Sequence, residues 1–567
     1  MTTLFYQLSI IAKKHLYLLF LLPFYMHSQN PGSYCDTHTT WNGMFWTNGE
    51  PTAEKDAIIS SDYTYTNGTF TACSLFVTGG AHVNFSQNSN AVIVHNVHVA
   101  NNSELVFESG SNLIQTEGQE NTGNVTIKRN SSLIKKDDFT LWSSPVSGQV
   151  LLDFSPETMI NRFYTFFTFD NVYNLISDPA ATTFQNAKGY LIRTEETHPT
   201  TPSIWEGSFS GTPNTGDISI PLDYINSNLS YNSVGNPYPS PINIAKFIDA
   251  NSDVITGTLW LWRKTDDPGK SSYCVITKFG YQSNTIPDPE NNTIQDPFEL
   301  HEEGILNTGQ GFMVKSTCSQ NLVFNNSMRE MVNSESFFRT ISQKDDEEVN
   351  ASRFWLDVTA EGVFTQALIG YSSIASNEFD NGWDGETILD GGVTLYSISE
   401  TSKLAIQARQ EFDTTDIVKL GFKTNVAGTY QLALDHMDGI FANGQHVYIK
   451  DHTNGSINNL NAGPYTFISE AGTFEDRFEV VYDTTAGLTN SQSENADIYS
   501  DNHQITINAS ESIKSVIVYD IAGKKIYEQN NIELQKYVTD ILNVQQVVIV
   551  NITLTNGVII TKKILVQ

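Results

Sequence analysis

Ala91-Val92-Ile93-Val94-His95-Asn96-Val97-His98-Val99-Ala100-Asn101-Asn102-Ser103-Glu104-Leu105-Val106-Phe107 holds three short apolar runs, each broken by polar residues. Runs of this length read as β-strands too short to build a core singly. Stacked as successive coils they share one continuous core, so the stretch predicts a short β-solenoid or β-helix. The same texture extends outward in both directions. Ala57-Ile58-Ile59, Ser74-Leu75-Phe76-Val77 and Ala81-His82-Val83-Asn84-Phe85 come before it, and Asn112-Leu113-Ile114 and Asn124-Val125-Thr126-Ile127 after it. Thr78-Gly79-Gly80, Asn101-Asn102-Ser103 and Glu108-Ser109-Gly110 punctuate them as turns. The solenoid domain is placed at residues 30–135. His95 and His98, three apart on an extended strand, face opposite ways and do not chelate one ion between them. Glu104, Glu108 and Glu117 are dispersed, not gathered as a glycosidase would need.

The rest of the 567-residue chain has room for three or four domains in all. Tyr, Phe, Thr, Asn and Gly are plentiful and long helical periodicities scarce, which is the bias of an all-β protein. Net charge is −31, from 63 acidic and 32 basic residues. That excludes nucleic acid and anionic membrane surfaces as partners, since both need Lys/Arg patches. At the start, Lys13, Lys14 and His15 precede an apolar run from Leu16 to Met26, the pattern of a signal peptide over residues 1–28. No later stretch approaches ~18 uninterrupted apolar residues, so no transmembrane span is expected in the mature chain. An exported chain permits disulfides. The four cysteines allow three pairings. Cys35 with Cys73 and Cys274 with Cys318 are the expected pairs, because each falls within one proposed domain.

Residues 137–330 are aromatic-rich and punctuated by proline and glycine, as in Phe139-Thr140-Leu141-Trp142-Ser143-Ser144-Pro145 and Val234-Gly235-Asn236-Pro237-Tyr238-Pro239. A β-sandwich-like domain with long loops is expected, with a short helix between Ile242 and Ala250. Trp205, Trp260 and Trp262 are candidates for a sugar-stacking platform. Trp260 and Trp262, two apart, share a strand face. Gly309-Gln310-Gly311 lacks the third glycine of a nucleotide loop and leads into a strand, so it reads as a turn.

A charged link, Gln343-Lys344-Asp345-Asp346-Glu347-Glu348, precedes a further domain at 351–483. Its alternation, as in Phe354-Trp355-Leu356-Asp357-Val358 and Tyr430-Gln431-Leu432-Ala433-Leu434, predicts an Ig-like or jelly-roll β-sandwich. One loop in it, Asp380-Asn381-Gly382-Trp383-Asp384-Gly385-Glu386, sets hard oxygen donors around two glycines, the chemistry that Ca²⁺ selects. Asp380, Asn381, Asp384 and Glu386 would be the ligands. The loop departs from an EF-hand, with Gly382 at the third position and Gly391 at the twelfth, so further oxygens would have to come from elsewhere. There is no Gly-x-Ser-x-Gly elbow, His-Glu-x-x-His or P-loop in the chain, and no catalytic residue is assigned.

Residues 497–567 end the chain as strand, turn, strand, twice over. Ser515-Val516-Ile517-Val518-Tyr519 breaks at Ala522-Gly523, and Val547-Val548-Ile549-Val550-Asn551-Ile552 at Asn556-Gly557. The block Val518-Tyr519-Asp520-Ile521-Ala522-Gly523-Lys524 and the ending Lys562-Lys563-Ile564-Leu565-Val566 resemble the type A C-terminal sorting domain of the type IX secretion system. That family occurs on secreted and surface proteins of Bacteroidota. The usual Gly-Val-Tyr strand is replaced here by Gln545-Gln546-Val547-Val548. The resemblance implies a small Ig-like β-sandwich that serves as an export address. Tyr519, Asp520, Gly523, Lys524, Gly557, Lys562 and Lys563 would be read by the secretion machinery. The block from Trp41 to Thr52 also looks like the solenoid cap of related surface proteins, with Trp41 and Trp46 covering the first coil. The expectation is a multidomain all-β adhesion or interaction protein, secreted or at the cell surface after Sec export and outer-membrane translocation, with glycans or other surface polymers as ligands. The alternative is a glycan-active enzyme or carbohydrate-binding protein with its site in the second domain.

Overall fold

The computed structural model describes residues 34–226, 229–262, 272–283, 304–333, 351–400, 402–483, 496–501, 503–520, 523–542, 544–555 and 559–566. The signal-like segment 1–28, the link 343–348 and Gly557 lie outside them. The protein is all-β, and it divides into two compact units, one ending at Tyr482 and one starting at Asp483. Among the described residues no helix is long and apolar enough to cross a membrane.

The first unit opens with a three-faced parallel solenoid. One face is built from Thr37–Trp41, Lys55–Ile59, Leu75–Val77 and Val97–Val99. The second has Gly68–Ala72, Ser89–Ile93 and Asn112–Gln115. The third runs Tyr63–Tyr65, His82–Phe85, Glu104–Phe107 and on to Val125–Ile134. Leu75 pairs with Val97, His82 with Glu104 and Asn90 with Asn112, so one coil takes 22 residues. Short strands suffice because every coil buries its apolar residues against the next. Leu75, Val97, Phe85 and Phe107 are all fully buried, and the rings of Phe85 and Phe107 stack at 4.8 Å, one strand spacing apart. Asn88 and Asn102 turn the corners in the left-handed region, which Asn tolerates better than most residues. At the N-terminal end Trp46 is buried and packs on Tyr63 and Phe70, with Trp41 beside it.

At the other end the solenoid is not closed off. Val125–Ile134 pairs antiparallel with Ser203–Pro213, which carries the third face into the following antiparallel sheets. Those are a four-stranded sheet ordered Phe139–Trp142, Tyr190–Arg193, Phe163–Phe167, Val172–Leu175, and a five-stranded sheet around Ile255–Trp262 and Gly311–Ser316. The expected short helix is present at Ile244–Ala250, with Asn243 accepting the Lys246 N–H at its start. Gly309 turns at φ +77° into the strand Gly311–Ser316, as a turn glycine should.

Beyond residue 351 an eleven-stranded sheet curls around Phe354, Leu356, Ile369, Leu420, Phe422 and Phe478. One buried cluster joins it to the preceding sheets. Leu141, Trp260, Val275 and Met313 pack with Trp355, Leu368, Ala405 and Ile406, so the segments placed at 30–135, 137–330 and 351–483 share cores within one body.

The second unit is built on one long strand, Gln504–Asp520, which pairs with Asp497–Asp501, Lys525–Val538 and Val547–Leu554. Its register breaks between Asn508 and Ile513. The alternation of Val547–Leu554 buries Val548, Val550, Ile552 and Leu554 with Ile505, Ile507, Val516 and Val518.

Candidate functional site

The strand Ser203–Pro213 alternates cleanly. Gly207, Phe209 and Gly211 face the core, and Glu206, Ser208 and Ser210 face solvent. Trp205 sits where that strand meets the one-turn helix Leu151–Phe154. Its ring meets Trp142 and Phe154 edge to face at 5.5 and 5.4 Å, which leaves it half-buried. Gly207 permits this, since a Cβ there would lie 2.9 Å from Phe154 and 3.0 Å from Trp205. Trp205 lines an open cleft of about 520 Å³ together with Gln149, Asp153, Glu195, Glu206, Ser208 and Ser210. Gln149 Oε1 accepts the Ser210 N–H at 2.6 Å and ties the two walls together. Lys128, paired with Glu108 at 3.0 Å, reaches Glu206 at 3.6 Å from the adjoining strand. The arrangement offers an aromatic ring at the rim and anionic acceptors around it. A polyhydroxylated ligand uses both, with C–H groups on the ring and hydroxyls donating to carboxylates. Only Trp205 of this set was singled out from sequence. Asp153 arrives from the one-turn helix about fifty residues upstream and Glu195 from a loop about ten residues upstream, and nothing in their local sequence marks them.

The other two tryptophans do not join it. Trp260 is fully buried and donates its indole N–H to the Glu386 carbonyl at 3.0 Å, with Tyr231 against its ring. Trp262 donates to the Phe139 carbonyl at 3.1 Å and packs on Tyr173 and Tyr273. The shared strand face predicted for the pair is a packing face, not a stacking platform.

The loop read as a Ca²⁺ site is also put to another use. Asp384 is fully buried, and its two oxygens accept the N–H groups of Asp380 and Ala408, both at 2.8 Å. Burial pushes its carboxyl up to about 7, against the pull of those donors. Asp380 accepts the Ser376 N–H at 2.6 Å and its hydroxyl at 3.1 Å. Glu386 is held by Lys315 at 2.6 Å, and Asn381 is exposed. The carboxylates expected to bind a cation are thus spent on protein donors and form no converging group. The loop acts as a staple instead. Its backbone bonds to Thr256, Thr258, Thr277 and Lys278 of the preceding sheet. Gly382 lies so close to Gly257 that a Cβ on the latter would meet it at 2.5 Å.

Of the cysteines, Cys35 and Cys73 form a disulfide with Cα atoms 6.4 Å apart. Cys274 and Cys318 are not joined to each other. Cys274 sits opposite Leu261, whereas Cys318 follows Ser316, which sits opposite Ile255 on the same strand. Six residues of strand is about 20 Å, far beyond disulfide reach. In the second unit, Gly523 turns at φ +77°, its N–H bonds the Asp520 carbonyl at 3.0 Å, and Asp520 Oδ1 accepts the Lys524 N–H at 2.9 Å. Tyr519, opposite Lys525 and Ile549, leads into this turn. Lys524, Lys562 and Lys563 are exposed.

Fold and cleft together define a class: an all-β protein in which a parallel solenoid runs into antiparallel sheets, with an aromatic, acid-lined cleft at the junction. The chain belongs to the family of DUF8693, a domain of unknown function whose model matches residues 34–482. Residues 486–566 match a second domain of unknown function, DUF8694. No curated protein matches the chain. Among solved structures it is similar to the central fibronectin-III array of RIM-binding protein, at 10% identity and a TM-score of 0.11, covering 31% of this chain and 86% of that one. It is also similar to Tp47, the 47-kilodalton lipoprotein of Treponema pallidum, at 9% identity and a TM-score of 0.13, covering 61% and 93%. Likenesses at these scores carry no argument.

Proposed function

We propose that the chain is an exported surface or secreted protein that binds glycans through the Trp205 cleft and is carried out by type IX secretion. The observation that carries the binding reading is the half-exposed indole of Trp205 at the rim of a cleft lined by Asp153, Glu195 and Glu206. A ring supported on two sides by Trp142 and Phe154 is rigid, so little order is lost when a sugar face lies on it. The export reading is supported by the resemblance of the terminal block to a sorting domain, and by its forming a compact unit of its own.

A glycan array and a hydrolysis screen on residues 30–482 test the first part. Binding without turnover is expected, with Trp205→Ala weakening it at least tenfold and Glu206→Gln by less. Turnover would replace this reading with the glycan-active enzyme, for which two of the three cleft carboxylates would be the acid and its partner. Absence of both overturns the glycan assignment. For the second part, deletion of 497–567 is expected to trap the protein in the periplasm, and normal surface display of that truncation would refute it.

A further inference from the structure

Cys73 and His95 occupy the same place on successive coils. They stand 22 residues apart, the spacing that separates Leu75 from Val97, and the His95 N–H donates to the Cys73 carbonyl at 2.8 Å. Stacking therefore sets a cysteine sulfur beside an imidazole from the next rung. Cys35, just ahead of the first solenoid strand, closes over the pair through its bond to Cys73. The ligand atoms of all three residues lie within 4.8 Å of one another, a convergence that no other group of His, Cys, Asp and Glu reaches among the described residues. His95 Nδ1 is buried without a hydrogen-bond partner, while its ring stacks on Tyr34 at 4.8 Å. A buried nitrogen left unbonded costs stability, and a ligand that it could bind would recover that.

We propose that reduction of the Cys35–Cys73 disulfide turns this corner into a binding site for a thiophilic d¹⁰ cation, with Zn²⁺ as the representative. Its ligands are the two thiolates and His95, with one position left open. A dithiol reductant attacks one sulfur, passes through a mixed disulfide and leaves as its own cyclic disulfide. Its two electrons cleave the Cys35–Cys73 bond and its two protons end on the two thiols. Zn²⁺ then displaces both protons as it binds. With Zn–S at about 2.3 Å and Zn–N at about 2.0 Å, a tetrahedral site needs sulfurs about 3.8 Å apart and the nitrogen about 3.5 Å from each. The three ligand atoms, already within 4.8 Å of one another on backbones whose cysteine Cα atoms are 6.4 Å apart, lie close to those separations once the S–S bond is opened. The metal would replace the covalent bond as the tie between the N-terminal segment and the coil. Sequence spacing hides the site, because 38 and 22 residues match no zinc pattern until the coil repeat is known.

The test is a chelator-competition titration with Zn²⁺ on the full chain, before and after reduction by a dithiol that is then removed. The reduced protein is expected to take up one Zn²⁺ at least tenfold more tightly than the oxidised protein. That gain should fall at least tenfold in His95→Ala and in Cys35→Ser, and persist in Cys318→Ala. Oxidised His95→Ala should unfold within a few degrees of the parent, so that its loss reports on ligation and not on folding. Equal affinity in the two redox states overturns the proposal. So does binding that survives His95→Ala and Cys35→Ser, or that is lost in Cys318→Ala.

Discussion

Asp357 shows how one carboxyl can set a pH dependence. It lies half-buried on the strand Ala351–Ala360, and Gln366 Nε2 donates both to it, at 2.8 Å, and to Asp435, at 3.2 Å. His436 Nδ1 bonds the same Asp435 oxygen at 2.7 Å. Burial first, and the Asp435 charge second, push the Asp357 carboxyl up to about 7. A raised acid binds more protons folded than unfolded, so its contribution to stability is complete below about pH 4 and is lost as pH rises to about 7. The slope is at most about 1.4 kcal/mol per pH unit. Asp357→Asn, which keeps an acceptor for Gln366, is expected to remove that loss. Denaturant unfolding of the two proteins at pH 4.5 and 7.5 checks it, and an unchanged difference between the two pH values would contradict the assignment. Gly211 makes the other residue-scale case. A Cβ there would lie 2.2 Å from the Ser147 carbonyl oxygen, which is backbone and cannot step aside. Gly211→Ala is expected to cost about 1–3 kcal/mol in the same assay, with looser pairing of Val146–Ser147 seen as faster amide exchange.

Among the elements, the solenoid and the 380–386 loop differ in what secures them. The solenoid is tied at its start by a disulfide spanning 38 residues, for which chain entropy predicts about 4 kcal/mol as an upper figure. Cys73→Ser is therefore expected to lower stability by about 2–4 kcal/mol in denaturant unfolding, with a steeper slope because the unfolded chain without its cross-link exposes more surface. The loop has no covalent tie; it is secured by hydrogen bonds centred on Asp384, with the Lys315–Glu386 ion pair and the packing of Trp383 beside them. Asp384→Ala would orphan the Asp380 and Ala408 N–H groups at a cost of about 1–3 kcal/mol each. Calcium should not change the midpoint of the parent protein, and a rise in midpoint on adding Ca²⁺ would restore the cation reading of this loop.

At the scale of the whole molecule, the shared cluster of Leu141, Trp260 and Met313 with Trp355, Leu368 and Ile406 makes residues 34–482 one folding body. A fragment ending at 333 would expose the first half of that cluster. It is expected to aggregate, whereas 30–482 and 483–567 should each be monomeric and unfold cooperatively by size-exclusion chromatography and thermal melting. Much of this body was legible in the residues. Strand positions follow from two-residue alternation, and the solenoid from runs too short to bury anything singly, because both signals live within a few neighbouring positions. Gly309 and the Ile244–Ala250 helix were legible for the same reason. The pairing of Cys35 with Cys73 followed from placing both in one domain, but the same rule failed for Cys274 and Cys318, since membership of a sheet says nothing about distance along its strands. Trp260, Asp384 and Glu386 carry side chains suited to ligands, and only the arrival of the Glu386 carbonyl, Ala408 and Lys315 from distant strands made them internal partners. Asp153 joins the Trp205 cleft from about fifty residues upstream, and His95 reaches Cys73 across one whole coil. By itself the sequence determined an all-β chain with a coiled beginning and a separate terminal module. Tertiary structure alone decided which polar groups satisfy one another and which are left facing a cleft, because burial and hydrogen-bond competition are settled only once distant strands meet.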